Sequence, residues 1–135
     1  MISIALYKPD IPQNTAAIVR FCACFGVSLH IIEPCTFNLD DKRFKRVVMD
    51  YQKICQIFRY EDYSDFKNKN ARCRIILMTT KSKKTYYKFK FSKNDILLFG
   101  KESSGVPQEI HNRVSERLKI PMIKTARSLN IVSAV

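Results

Sequence analysis

The chain has 135 residues, 46% of them hydrophobic, a size that suits one domain, residues 1–135, with a core of its own. Twenty-four Lys and Arg against twelve Asp and Glu give a formal charge of +12, a bias toward polyanions such as RNA. No apolar run approaches the roughly 18 residues of a membrane helix, and the opening MISIALYKPDIP has neither a basic leader nor a long apolar centre, so the expected location is the cytosol.

In chain order, ISIALYK reads as a first strand. The loop PDIPQN follows, with Asn14 placed to cap a helix over 15–25 that stops at Gly26. Ile18, Phe21, Cys22 and Phe25 recur at helical spacing and predict one core-facing stripe. Ala16, Ala17, Arg20 and Cys24 fall on the other side, where a long cation among small residues can reach a ligand or a neighbouring subunit. SLHIIEP predicts a second strand, DDKRFKRVVMDY a basic helix or turn, and KICQIF a third strand. YSDFKNK is a helical patch, RCRIILMTT a fourth strand and DILLFG a fifth. VPQEIHNRV gives a short helix and RLKIPM a sixth strand. Short apolar runs alternating with helices mark an α/β fold, with a mostly parallel sheet covered on both faces.

The charge is concentrated. Between residues 41 and 93 lie sixteen of the twenty-four basic residues against five acids. Within that span KSKKTYYKFKF, at 81–91, interleaves lysines with Tyr86, Tyr87, Phe89 and Phe91, which suits phosphate contact and base stacking or, equally, a solvated basic loop before an edge strand. Five cysteines, with no CxxC pair, fit reduced structural thiols better than a disulfide framework or a zinc site, and no metal is expected. His30 and His111 stand outside any readable motif and are expected to be structural or solvent-facing.

Parallel α/β sheets bind ligands at the carboxyl ends of their strands. That selects the loops after Met78, Gly100 and Met122. With Gly26, Gly100 and Gly105 as its only glycines, the chain holds neither GxGxxG nor a Walker A loop, and GKESSG does not supply GxSxG. Gly100 and Gly105 bracket KESS, which marks a turn where backbone is closely approached.

NTAAIVRFC, LLFGKESSG and IPMIKTARSLNIVSAV, in that order and spacing, resemble the three motifs of the SPOUT class of RNA methyltransferases. With IALYKPDIPQNTAAIVRFCACFGVSLHIIEP, DDKR and LMTTK, the chain is similar over essentially its whole length to the small tRNA 2′-O-methyltransferases that modify the wobble cytidine or uridine. The resemblance implies an α/β fold with a C-terminal trefoil knot, a homodimer, tRNA as substrate rather than DNA, and S-adenosylmethionine held by the knot loops. It implies that backbone at Met78, Gly100 and Ile120 holds the adenosine, with Ser128 also lining the pocket. Glu102 matches the acid of the second motif, Asn130 the final amide of the third, and Asn14 and Arg20 the first motif, whose arginine is the family's proposed catalytic residue.

Elementary chemistry qualifies these roles. Gly100 leaves space for the cofactor against backbone, Gly105 permits the return turn, and Glu102 is as well suited to face the loop amides as the ligand. Positioning supplies much of the rate of an in-line methyl transfer, and a guanidinium with pKa above about 12 is a poor base. Arg20 is therefore read as a phosphate clamp and electrostatic stabiliser, with Ser128 orienting the ribose hydroxyl or the arginine.

Three departures from the family pattern stand out. NTAA replaces the usual NTGN beside Arg20, IVSAV follows Asn130 where relatives place a second amide, and Val135 falls where the last knot helix begins, leaving that helix incomplete. The ending predicts either a truncated chain or a fragment of a longer product. A non-catalytic RNA-binding relic of the same fold is the alternative to an active enzyme.

Overall fold

The computed structural model describes residues 2–35, 37–39, 42, 44–46, 55–79, 90–101 and 104–118. Its strands are β1 (Ser3–Tyr7), β2 (Leu29–Ile32), β3 (Ile57–Tyr60), β4 (Ile75–Met78), β5 (Ile96–Phe99) and β6 (Glu116–Leu118). Helix α1 (Pro12–Phe25) follows β1, α2 (Tyr63–Lys69) follows β3, and α3 (Gln108–Arg113) follows β5.

The strands form one six-stranded sheet in the order β3-β2-β1-β5-β4-β6, and every pairing is parallel. This is the α/β architecture that the alternating apolar runs predict. The runs are continuous because both faces of the sheet are covered. On one face Ile4, Leu6, Leu29, Ile31 and Phe99 pack with Ile18, Val19 and Cys22 of α1. On the other, Ala5, Tyr7, Ile32, Ile75, Leu77, Ile96 and Leu98 pack with Phe66 of α2 and Ile110 of α3. The division follows the right-handed crossover rule: α1 leads leftward from β1 to β2, whereas α2 and α3 precede rightward steps, so they cover the opposite face.

Helix α1 departs from its expected start and stripe. It begins at Pro12 with Ile11 as N-cap and no side-chain cap, so Asn14 sits half-buried inside the first turn rather than capping it. Proline in the first turn has its φ already set and gives up a backbone donor that the helix would leave unused, which brings nucleation forward of Asn14. The C-terminus is as expected, with Gly26 at φ 65 donating to Ala23 O and Cys22 O. The buried arc runs through Thr15, Ala16, Ile18, Val19, Cys22 and Ala23. At about 100° per residue it centres near Val19 and Cys22, leaving Phe21 and Phe25 at its margin. Phe25 is 66% exposed and stacks on Phe21 with ring centroids 4.7 Å apart. Ala16, expected on the outer side, is buried, because small residues let the helix lie close against the sheet.

Two further boundaries shift. KICQIF predicts a strand over 53–58, but β3 runs Ile57–Tyr60, since its register is set by β2, where Leu29 faces Ile57 and Leu29 N donates to Gln56 O. RLKIPM predicts a strand over 117–122, and β6 spans Glu116–Leu118. Residues 42 and 44–46 are helical, in line with a basic helix there, while most of KSKKTYYKFKF and the segment after Leu118, where the trefoil knot is expected, lie outside the described residues.

Candidate active site

Because all the strands run the same way, their carboxyl ends form one rim. Met78 pairs with Phe99 across β4 and β5, and with Leu118 across β4 and β6. Thr79 N donates to Leu118 O at 2.8 Å, fixing the chain as it leaves β4. Backbone at Met78 and Gly100 therefore reaches the same edge, beside the end of β6. Two of the three loops selected from sequence are thus brought together, and the third, after Met122, lies outside the described residues with Ile120, Ser128 and Asn130. Glu102 is outside them as well.

The loop after β5 is closed by the chain itself. Lys101 N donates to Gly105 O at 3.0 Å and Gly105 N to Lys101 O at 2.8 Å, a small antiparallel bridge. A Cβ on Gly100 would lie 2.6 Å from both the Cα and the carbonyl carbon of Gly105. Gly100 is thus bare because Gly105 crosses it, a reason internal to the fold that sequence reasoning assigned to a cofactor. Gly105 serves the return turn as expected, with φ +70 and open space where a side chain would be. The bridge draws Lys101 and Gly105 together at the rim just past β5.

Asn14 and Arg20 sit on α1. This helix starts at the carboxyl rim and runs back toward the amino ends of the strands. Arg20 is exposed, eight positions along from Pro12, hence about 12 Å from the helix start at 1.5 Å per residue. That is farther along α1 from Pro12 than an extended arginine side chain spans. Lys8, just past β1, has φ 41, and its Nζ lies 5.4 Å from the Tyr7 ring centroid.

His30 and Cys22 are structural, whereas both ring nitrogens of His111 are buried without a hydrogen-bond partner among the described residues. His30 is buried between β1 and β3, with Nε2 3.1 Å from Ser3 Oγ and Nδ1 2.7 Å from Tyr60 Oη. It stacks on Phe58 and Tyr60 and meets the edge of Phe66. Burial lowers its pKa to about 4, so the ring is neutral at physiological pH. All five cysteines are free, and Cys22 is buried while Cys24 is exposed. A hydrogen bond with Cys55, together with burial, pushes the Cys22 thiol up and keeps it protonated.

Sequence reasoning missed Arg74 and Asp95. Asp95 is 1% exposed and receives Arg74 Nη2 at 2.6 Å, Arg74 Nε at 2.9 Å and Ser92 N at 2.6 Å. Burial works against its charge, yet these donors hold the carboxyl below its ordinary pKa. The only signal available was an acid immediately before an apolar run.

Among known proteins, the SpoU rRNA Methylase family profile matches residues 1–135. A tRNA (cytidine(34)-2'-O)-methyltransferase of Aeromonas hydrophila subsp. hydrophila is 42% identical over 137 residues, covering 100% of this chain and 88% of the relative. A solved structure described as giving structural insights into the 2-OH methylation of C/U34 on tRNA superposes with TM-score 0.93 at 35% identity, covering 99% of this chain and 88% of that one. An AdoMet-bound rRNA methyltransferase from Sinorhizobium meliloti shares the fold at TM-score 0.86 and 23% identity, covering 98% of this chain and 52% of that one. With a family profile that runs the whole length of the sequence and a sheet of matching topology, the chain belongs to the SpoU methylase family.

Proposed function

We propose that this chain is a tRNA ribose 2′-O-methyltransferase that uses S-adenosylmethionine and acts on the wobble nucleotide, cytidine or uridine, of the anticodon. The observation that carries this reading is its 42% identity, over its full length, to a methyltransferase named for cytidine 34 of tRNA. No observation favours the non-catalytic alternative.

In this reading residues 1–135 act as one domain in the cytoplasm. The main chain at Met78, Gly100 and Ile120 holds the adenosine, supported by Ser128, while Glu102 and Asn130 brace the loops. The adjacency of the Met78 and Gly100 strand ends supports this placement. When bound, the cofactor supplies an activated methyl group on a sulfonium. The chain's own work is positioning, which in favourable systems contributes roughly 7–11 kcal/mol. Arg20 holds a substrate phosphate and stabilises charge developing on the ribose oxygen, and Ser128 orients that hydroxyl. Asn14, in the first turn of the same helix, supports the RNA-facing side.

The active form is a homodimer. Support comes from the outer side of α1, where Phe25 and Cys24 are exposed and Ala17 and Phe21 are half-buried, a small apolar surface around Arg20. The separation of Arg20 from its own rim adds to this, since a second subunit can bring the arginine to a rim that is not its own.

Incubating the purified chain with tRNA and methyl-labelled S-adenosylmethionine, then mapping ribose methylation by mass spectrometry of nuclease fragments, tests the proposal. A 2′-O-methyl group at the wobble position is the expected result. Methylation confined to another RNA, or binding of RNA with no affinity for S-adenosylhomocysteine, would overturn it. Arg20→Ala is expected to abolish methylation while leaving cofactor affinity nearly intact.

A further inference from the structure

The opposite rim of the sheet, at the amino ends of the strands, differs in charge from the rim that carries the candidate site. Among the described residues, the carboxyl rim mixes signs, with Lys8 and Lys101 beside Asp10, Glu61 and Asp62, and Arg59 paired with Glu33 at 3.0 Å. The amino rim over β4 and β5 is predominantly basic, with Glu116 at the start of neighbouring β6 as an acid that acts on Arg74. The turn entering β4 carries Arg72 and Arg74, and the segment entering β5 carries Lys90 and Lys93. Asp95 is the acid in these two turns, and it is buried against Arg74.

That ion pair fixes the geometry. Arg74 also donates to Lys90 O at 3.2 Å and approaches Ser92 Oγ at 3.4 Å, so the two turns are clamped side by side. The β4–β5 register pairs Ile75 with Ile96, and Ile96 N donates to Arg74 O at 2.9 Å, so the turns carrying Arg72 and Lys93 enter neighbouring strands. Arg72, Lys90 and Lys93 are exposed and make no ion pair among the described residues. Lys69 and Arg113, in the last turns of α2 and α3, are paired with Asp65 and Glu109 and complement the helix dipoles.

We infer that this rim is a second RNA-contact surface, on which Arg72, Lys90 and Lys93 hold the phosphodiester backbone of the substrate tRNA away from the nucleotide being modified. The inference rests on the proposed tRNA activity. The surface has the chemistry of backbone contact rather than base reading: cations beside the small polar side chains Ser92 and Asn94, with none of the exposed large hydrophobic residues, Ile11, Phe25 and Phe58. A protein partner would need an apolar centre and a membrane surface an apolar face, and neither is present on these two turns. Strands of four residues put the two rims on the order of 13 Å apart, at opposite ends of the sheet.

The test measures binding of full-length tRNA, and of a short single-stranded anticodon oligonucleotide, as a function of salt. The proteins compared are wild type, Arg72→Glu/Lys93→Glu, its neutral version Arg72→Ala/Lys93→Ala, and a control of equal charge change, Lys42→Glu/Arg46→Glu. Each is first checked for native circular dichroism and melting. Loss of two phosphate contacts should weaken binding of full-length tRNA by about tenfold at about 50 mM salt and lower the log–log salt slope by about two. Oligonucleotide binding should stay close to wild type, and the control should fall well short of the rim variant. An unchanged tRNA slope in the rim variants, an equal loss in the control, or an equal loss with the oligonucleotide would each overturn the inference. Wild-type methylation is read separately: rim-dependent tRNA binding without wobble methylation would remove the proposed activity and leave the RNA surface standing. If wild type fails to bind tRNA, both fall.

Discussion

Gly100 and Gly105 occupy one loop for different physical reasons, and substitutions separate them. At Gly100 the obstacle is space, because a Cβ would press on Gly105 backbone at 2.6 Å and backbone cannot swing aside as a flexible side chain can. At Gly105 space is open and the obstacle is the φ of +70, which L-residues adopt at a cost of roughly 1–2 kcal/mol. Gly105→Asn should therefore be tolerated better than Gly105→Ala, since asparagine enters the left-handed region more readily. Gly100→Ala and Gly100→Asn should both be poorly tolerated, by roughly 1–3 kcal/mol of overpacking, with the larger side chain the worse. Thermal melts of the four variants check this, and an Asn rescue at Gly100 would contradict it. Loss of cofactor affinity in a Gly100 variant consequently does not by itself locate a pocket, because the loop would move first. Sequence could flag the pair of glycines but not this cause, which depends on the loop closing so that residues five apart touch.

At the scale of elements, the strands were legible because a strand buried on both faces must be almost wholly apolar; ALY, IILM and ILLF are, and β2 admits one polar residue, His30, with both ring nitrogens hydrogen-bonded. Their limits were not, since β3 is bounded by pairing with β2 rather than by composition. The same holds for α1, whose start follows Pro12 rather than Asn14 and whose end leaves Phe25 outside the core. The strand-end rule selected Met78 and Gly100, whose strand ends the register sets side by side, while the Arg74–Asp95 clamp went unseen, because it joins residues 21 apart that only the β4–β5 register makes neighbours. His30 is another contact made by topology, tying β1, β3 and α2 through Ser3, Tyr60 and Phe66. Its pKa falls from 6.5 to about 4 on folding, so the unfolded chain binds the extra proton between those values. Its contribution is complete above about pH 6.5 and is lost as pH falls toward 4, amounting to about 3 kcal/mol. Urea unfolding at pH 7.5, 5.5 and 4.5 should show this decline, and His30→Gln, which can still hydrogen-bond but cannot titrate, should flatten it. An equally steep decline in His30→Gln would assign the effect to other groups.

For the molecule as a whole, the decisive relation is between α1 and the carboxyl rim. The helix leaves that rim at Pro12 and carries Arg20 about 12 Å along its axis, on an exposed side, with Phe21 next in the chain and Phe25 a little over one turn further on. If two chains associate through this side of α1, each Arg20 serves the rim of its neighbour. Phe25→Asp should then shift the protein toward monomer in light-scattering chromatography and reduce activity with it, while leaving the melting of the monomer little changed, because Phe25 is outside the core. Subunit complementation tests the arginine directly. Arg20→Ala and Ser128→Ala chains should each be inactive alone. When they are unfolded together and refolded as an equal mixture, half the dimers are mixed, and in each mixed dimer one site combines an intact Ser128 with the neighbour's intact Arg20. The mixture should recover about a quarter of wild-type activity. An arginine that acts within its own chain predicts no recovery, because every site would then lack one of the two side chains.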